Sequence, residues 1–202
     1  MDLITPSAAQ EKAYHHGDLK NALISAGIAC LEQDGLAALS LRAIAARAGV
    51  SHTAPKNHFG SLRGLLTAIA TEAWHRHTAA MRGQLPDHAP ARDRLIAMAD
   101  GYVGFATANP ALYQLMLSPL HCDLTSDDYR TAARASYAVL SEVAADLIRD
   151  GLAPMTDQRQ LETILWSLVH GYAALAQSGM LGGPPGSGAV PKITDLLPLP
   201  PS

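Results

Sequence analysis

Ser40-Leu-Arg-Ala-Ile-Ala-Ala-Arg-Ala-Gly-Val-Ser-His-Thr-Ala-Pro-Lys-Asn-His-Phe59 is the stretch whose reading decides the fold. Ser40 is suited to cap a short helix with Leu41, Ile44, Ala45 and Ala48 on one face, and Gly49 supplies the positive φ of a tight turn. Ser51 reads as the cap of a second short helix that runs to about His58. Two short helices crossing closely at a glycine turn form a helix-turn-helix. In such a unit the second helix enters the DNA major groove while the first crosses the phosphate backbone. Ala54, Pro55 and Phe59 are expected to pack inward. His52, Thr53, Lys56 and Asn57 then share the outward face, because 52 with 56 and 53 with 57 stand one turn apart. Lys56 suits guanine or phosphate, Asn57 adenine, Thr53 a thymine methyl and His52 a phosphate. Ser51 at the start of its helix, like Ser40 and Arg42 at the start of the other, is suited to phosphate. Each of these, taken singly, is also an ordinary polar residue of a surface helix.

The same punctuation organises the rest of the chain. Upstream, residues 1–13 lack periodicity and read as a flexible arm, with order expected from about Tyr14. Asp18 is a candidate cap for a helix with Leu19, Ala22, Leu23, Ala26, Ala29 and Cys30 at helical spacing, stopped by Gly35. Downstream, Ser61 caps a longer helix with Leu62, Leu65, Leu66, Ile69, Ala73 and Trp74, which leads out of this head. A helix from about Ala91 to Ala108 is broken at Asn109-Pro110, where Pro110 opens the next short one. Two long helices are expected over about Ser126–Asp150 and Thr156–Ser178, followed by a Gly/Pro-rich tail with only a weak turn or two around Ile193–Leu197. The fold class is all-α: a three-helix DNA-binding domain over 14–74, with its helix-turn-helix at about 40–59, a helical bundle over 75–181 and a tail over 182–202.

Composition agrees and sets limits. The 202 residues carry 48% hydrophobic content with only 5% aromatics, and that content comes largely from Ala and Leu, a balance that favours helix over sheet. The formal charge of −3 excludes a surface coated in basic residues, so contact with nucleic acid must be local. Within residues 1–60, Lys12, Lys20, Arg42, Arg47 and Lys56 balance Asp2, Glu11, Asp18, Glu32 and Asp34, which leaves the net negative charge to the remainder. Cys30 and Cys122 lie far apart and in no metal-ligand spacing. No apolar run is long enough for a membrane span and no signal segment is visible, so a cytoplasmic protein is expected.

Tyr14-His-His-Gly-Asp-Leu19, Leu39-Ser-Leu-Arg42, Ala48-Gly-Val-Ser51 and His58-Phe59 together resemble the N-terminal domain of the TetR family of transcription regulators, over about residues 14–74. Trp166-Ser-Leu-Val-His-Gly171 resembles the C-terminal signature of a subgroup named for its Trp-His-Gly residues. The resemblance implies a homodimer, usually a repressor, that binds double-stranded operator DNA and responds to a small-molecule effector. His58 joins the DNA-facing candidates. The chain departs from the family pattern at Lys56, where a tyrosine is usual, and at Leu62, where a lysine is frequent. Arg63 is the candidate to replace the lost charge. The usual final helix is interrupted by Gly182–Pro191, which leaves the dimer contact to the helices at 126–150 and 156–178.

Met98, Tyr102 and Phe105 at helical spacing, with Tyr113, Met116, Tyr137, Trp166 and His170, are candidates to line an effector pocket between helices. The same residues read equally well as a filled core. His121-Cys122-Asp123 is a weak suggestion of metal sensing, since adjacent side chains seldom chelate one ion without help. No phosphate loop, nucleophile elbow or His-Glu-x-x-His motif is present, so neither enzyme nor cofactor is expected. The alternative to a DNA-binding regulator is a helical ligand-binding or interaction protein whose head no longer binds DNA, which the exchanges at Lys56 and Leu62 and the acidic balance would suit.

Overall fold

Ser40, Ser61 and Asp157 cap three helices through their side chains, Gly49 and Gly60 close two, Asn109-Pro110 divides two more, and most of the described chain between is helical. The computed structural model describes residues 8–83, 88–153, 157–181 and 192–197. In chain order the helices are α1 (Ala8–Asp34), α2 (Leu41–Ala48), α3 (Ala54–Phe59), α4 (Leu62–Arg82), α5 (Ala91–Ala108), α6 (Pro110–Met116), α7 (Asp127–Arg149) and α8 (Gln158–Gln177). Single 3-10 turns lie at Leu36–Ala38 and Ile193–Leu196.

The head is α1 to α3 packed on the first half of α4. Ser40 Oγ accepts from Ala43 N at 3.1 Å, a cap worth about 1 kcal/mol. At the other end of α2, Gly49 adopts φ 68° and Val50 N reaches back to Ala45 O at 3.1 Å, the left-handed closure that turns the chain into α3. Leu23, Leu31, Ile44, Leu65 and Ile69 are each no more than 1% exposed and form the head's core. Arg47 donates to Gln33 Oε1 at 2.8 Å and ties α2 to α1 from outside.

Two helix starts differ from the sequence reading. α1 begins at Ala8, not near Tyr14 or Asp18, because Ala8, Ala9, Gln10, Glu11, Lys12 and Ala13 are strong helix formers even without an apolar stripe; residues 1–7 of the expected arm lie outside the described residues. α3 begins at Ala54 with Thr53 rather than Ser51 at its cap. Pro55 in the first turn needs no N–H partner and favours the start there. The Ser51 and Thr53 hydroxyls bond to each other at 3.2 Å instead of capping. The expected start of α8 at Thr156 lies outside the described residues, and Asp157 caps the helix through Gln160 N at 3.2 Å.

The body is built around the second half of α4, which packs against α5, α6 and α7, with α8 closing on α5 and α7. Asn109 and Pro110 separate α5 from α6 as the sequence indicates. Arg94 on α5 and Arg149 on α7 both pair with the buried Asp146. In the tail, the turn expected around Ile193–Leu197 is present as the 3-10 turn Ile193–Leu196; Ile193 and Leu197 are buried and the turn packs on α5. Most of the intervening Gly/Pro-rich segment lies outside the described residues.

α4 and α5 approach most tightly at Gly101, where an added Cβ would stand 2.4 Å from Ala80 O and 2.8 Å from Met81 Cα. Backbone cannot yield there as a side chain can. Gly101→Ala is expected to lower the unfolding free energy by about 1–3 kcal/mol in urea titrations at fixed protein concentration. Gly104→Ala on the same helix, whose Cβ would meet nothing within 4 Å, is expected to raise it by about 0.5–1 kcal/mol.

Candidate nucleic-acid interface and interior polar cluster

The outward face of the head carries the residues expected of it. Ala54 and Pro55 are buried and Phe59 is half-buried, so α3 is anchored by that side. His52, Thr53, Lys56 and Asn57 are exposed together, His52 and Thr53 in the turn before the helix and Lys56 and Asn57 on it. Ser40, Arg42 and Ser51 are exposed as well; the Ser40 oxygen is used as a cap, but its proton remains able to donate to phosphate.

His58 and Arg63 depart from that group. His58 is half-buried and lines a polar groove of about 580 Å³ with Lys20, Thr71, Glu72 and His75, where α1 and the end of α3 meet α4. Arg63 is exposed, yet its guanidinium donates to Cys122 O at 2.9 Å and is partly committed to the α6–α7 loop. The same loop is fastened to α4 by Asp123 N on Thr67 Oγ1 at 2.8 Å and by Cys122 Sγ on Leu66 O at 3.7 Å. Burial pushes the Cys122 thiol up to about 11, against the pull of Arg63, so it is a packed thiol and not a thiolate. Among the described residues no group of three or more His, Cys, Asp or Glu is placed to hold a metal ion.

Inside the body, Met98, Tyr102, Phe105, Tyr113 and Met116 are buried together. Tyr102 and Tyr113 join hydroxyls at 2.8 Å, and both reach His170 Nδ1, at 3.2 and 2.7 Å. Burial raises the pKa of both phenols, which therefore stay protonated and act as hydrogen-bonding groups.

Tyr137 does not join them. It is 40% exposed on α7, stacks edge-on with Trp166 at 6.0 Å and donates to Glu162 Oε2 at 2.9 Å. Trp166 straddles the boundary: it is 45% exposed, while its indole lies near enough to the Tyr102 hydroxyl to offset part of that phenol's upward shift. The physical reason is register. α8 buries Leu161, Leu165, Val169 and Ala173 in one row, and Trp166 is one position past that row. Ser136 takes the inward place on α7 beside Tyr137.

Sequence reasoning missed His77, Ser136, Trp74 and Tyr129 as members of this interior. His77 is 1% exposed and its Nδ1 bonds to Ser136 Oγ at 2.8 Å. The available signal was position: Leu66, Ala70, Ala73, His77 and Met81 fall on one face of α4, so a histidine there is interior.

The outer face of α7 and α8 is apolar and shallowly concave. Tyr137, Ile164, Trp166 and Leu175 are large and exposed, and a groove of about 710 Å³ is lined by Ala133, Ala138, Ser141 and Ala145 with Arg134, Glu142 and Gln158. No described helix is long and apolar enough to cross a membrane.

A helix-turn-helix presenting a polar face, joined through one shared helix to a helical body with a polar interior, defines a DNA-binding regulator class. Residues 23–69 match the family described as bacterial regulatory proteins of the tetR family, and residues 95–190 match the Tetracyclin repressor-like C-terminal domain. The chain belongs to the TetR family of transcriptional regulators. The second match does not by itself single out the Trp-His-Gly subgroup. The chain is 25% identical over 162 residues to the HTH-type transcriptional regulator YobS of Bacillus subtilis (strain 168), covering 79% of each. The solved structure of a protein of unknown function from Rhodococcus sp. RHA1 is similar at a TM-score of 0.74 and 34% identity over 91% of both chains. A TetR family regulator from Marinobacter aquaeolei VT8 shares the fold at a TM-score of 0.63 and 16% identity, over 86% of this chain and 91% of that one.

Burial lowers the pKa of His77 to about 4, so the folded protein keeps it neutral where the unfolded chain, near 6.5, takes up a proton. Its folded pKa lies below the unfolded value, so this contribution is complete above about pH 6.5 and is lost as pH falls towards 4. Lowering the pH from 7.5 to 5 is expected to cost about 2 kcal/mol through this group. Urea titrations at the two pH values read the loss, and His77→Phe is expected to remove most of it.

Proposed function

We propose that the chain is a ligand-responsive repressor that binds a palindromic operator as a homodimer. The observation that carries the reading is the joint exposure of His52, Thr53, Lys56 and Asn57 on a helix anchored by Ala54 and Pro55. These side chains can reach base edges while Ser40, Arg42, Ser51 and His58 serve phosphates around them. Arg63 supplies a further phosphate contact with the donors that Cys122 does not use. Residues 14–74 act as the DNA-binding domain and 75–181 as the effector and dimer domain, in the Trp-His-Gly subgroup by virtue of Trp166, His170 and Gly171.

The second copy docks on the α7–α8 face. Small residues on the groove floor let helices approach closely, and exposed Trp166 and Tyr137 supply aromatic anchors of the kind that dominate interfaces. Pairing there brings two recognition helices to one duplex, where they must stand about 34–36 Å apart or a multiple of it. The effector binds within the cluster of Met98, Tyr102, Phe105, Tyr113, Met116 and His170. It releases DNA to the extent that it prefers the dimer whose heads are wrongly spaced.

Lys56→Ala is expected to leave the helical content unchanged, weaken operator binding about tenfold or more, and reduce the salt slope of log affinity by about 1. Gel retardation across a salt series tests this, and an unchanged slope with unchanged affinity would reject the role of Lys56. Binding insensitive to salt would favour a helical interaction protein over a DNA-binding one. Trp166→Glu is expected to shift the chain to monomer in sedimentation velocity and to abolish two-site binding to a palindrome, with single half-site contacts remaining.

A further inference from the structure

α4 carries two buried nitrogen atoms that make no hydrogen bond, His77 Nε2 and Trp74 Nε1. The other such side-chain atom among the described residues, Asp146 Oδ2, is accounted for by its ion pair with Arg94. The two nitrogens belong to rings one turn apart that stand edge to face with centroids 5.8 Å apart. His77 is committed on one side only, through Nδ1 to Ser136. Its ring is walled by Tyr102 at 4.5 Å and Phe105 at 5.3 Å. The Trp74 N–H stands near the Tyr129 hydroxyl, close enough to influence its pKa but outside hydrogen-bond geometry, and that hydroxyl donates instead to Met116 O. Folded proteins pair nearly all their buried polar groups, so two unpaired ones in a single aromatic cluster mark a place where an incoming polar group is rewarded.

The surroundings restrict what that group can be. The side chains gathered around His77 are phenols, an indole, a phenyl ring and a serine hydroxyl. The buried carboxylates are engaged elsewhere, Asp146 with Arg94 and Arg149, and Glu162 with Tyr137, Ser141 and Gln158. Burial also keeps His77 neutral at pH 7. Among the described residues around His77 a charged ligand would find no counter-ion, and it would lose its hydration. Met98, one turn before Tyr102, and Met116, one turn after Tyr113, are both fully buried. Their flexible thioether chains are the ones able to repack around a ring-sized guest.

We propose that the effector of this regulator is an uncharged, ring-sized molecule bearing a hydroxyl, which accepts from Trp74 Nε1 and pairs with His77 Nε2 among the rings of α4, α5 and α6. A hydroxyl both donates and accepts, so it serves His77 in either tautomer, whichever way the Ser136 bond is polarised. The inference rests on the ligand-responsive reading above and adds to it the ligand's chemical class and two residues that recognise it.

Phenol, benzene and benzoate, titrated by calorimetry into the full-length protein at pH 7.5, test this. Phenol is expected to bind at least about tenfold tighter than benzene, the difference one well-made buried hydrogen bond supplies, and benzoate not to bind. His77→Phe is expected to bring phenol and benzene to within about twofold of each other, and Trp74→Phe to narrow the gap if the His77 variant does not fold. Equal binding of phenol and benzene, full preference retained in both variants, or an ordered water held by the two nitrogens with no uptake of phenol would overturn the inference. Operator binding is measured in parallel without phenol. Retained DNA binding with no phenol uptake defeats the inference alone, whereas absent DNA binding strikes the regulator reading itself.

Discussion

Everything in the molecule depends on α4 being one continuous helix that carries a single core from head to body. Its first half contributes Leu65 and Ile69 to the head, and its second half contributes Ala73, His77 and Met81 to the body. A helix of this length spans about 30 Å, so a small tilt at the body end is a displacement of the recognition helix at the other. The close contact at Gly101 and the bonds from the α6–α7 loop to Arg63, Leu66 and Thr67 hold α4 to the body along much of that length. Head and body are therefore joined along α4, a linkage that the proposed ligand response would use.

The two halves use polar groups in opposite ways. The head turns its polar residues outward, where Thr53, Lys56 and Asn57 meet solvent, and anchors the helix through Ala54, Pro55 and Phe59. The body turns polar groups inward and pairs most of them, through Tyr102, Tyr113 and His170 and through His77 and Ser136. A paired buried network fixes one arrangement of the surrounding helices, and a partner that competes for its bonds can favour another. That is the physical support for the proposal that an effector is recognised in this interior.

Much of this was legible in the sequence because it is written in punctuation. Ser40, Gly49, Ser61 and Asn109-Pro110 delimit helices by backbone chemistry that tertiary context does not overrule, and the observed α5 begins and ends at the expected residues. What escaped reading depends on three dimensions. Whether Ser51 or Thr53 caps α3 was decided by Pro55 and by a bond between the two hydroxyls. Tyr137 and Trp166 are apolar enough for a pocket, but each lies one position off its helix's buried row, and they face outward. His77 is the converse, a polar residue on a buried row that a reader of composition assigns to the surface. Arg63 could be recognised as a spare cation, but not that the Cys122 carbonyl, far along the chain, would claim part of it.

In the proposed dimer the helical body positions two heads on one duplex. Selection of bound sequences from a random DNA pool by the full-length protein, followed by affinity for the winner at two salt concentrations, tests it most directly. The expected result is enrichment of a palindrome with half-sites about one helical turn apart and an affinity that falls steeply with salt. Enrichment of no sequence, with any residual binding indifferent to salt, would contradict it.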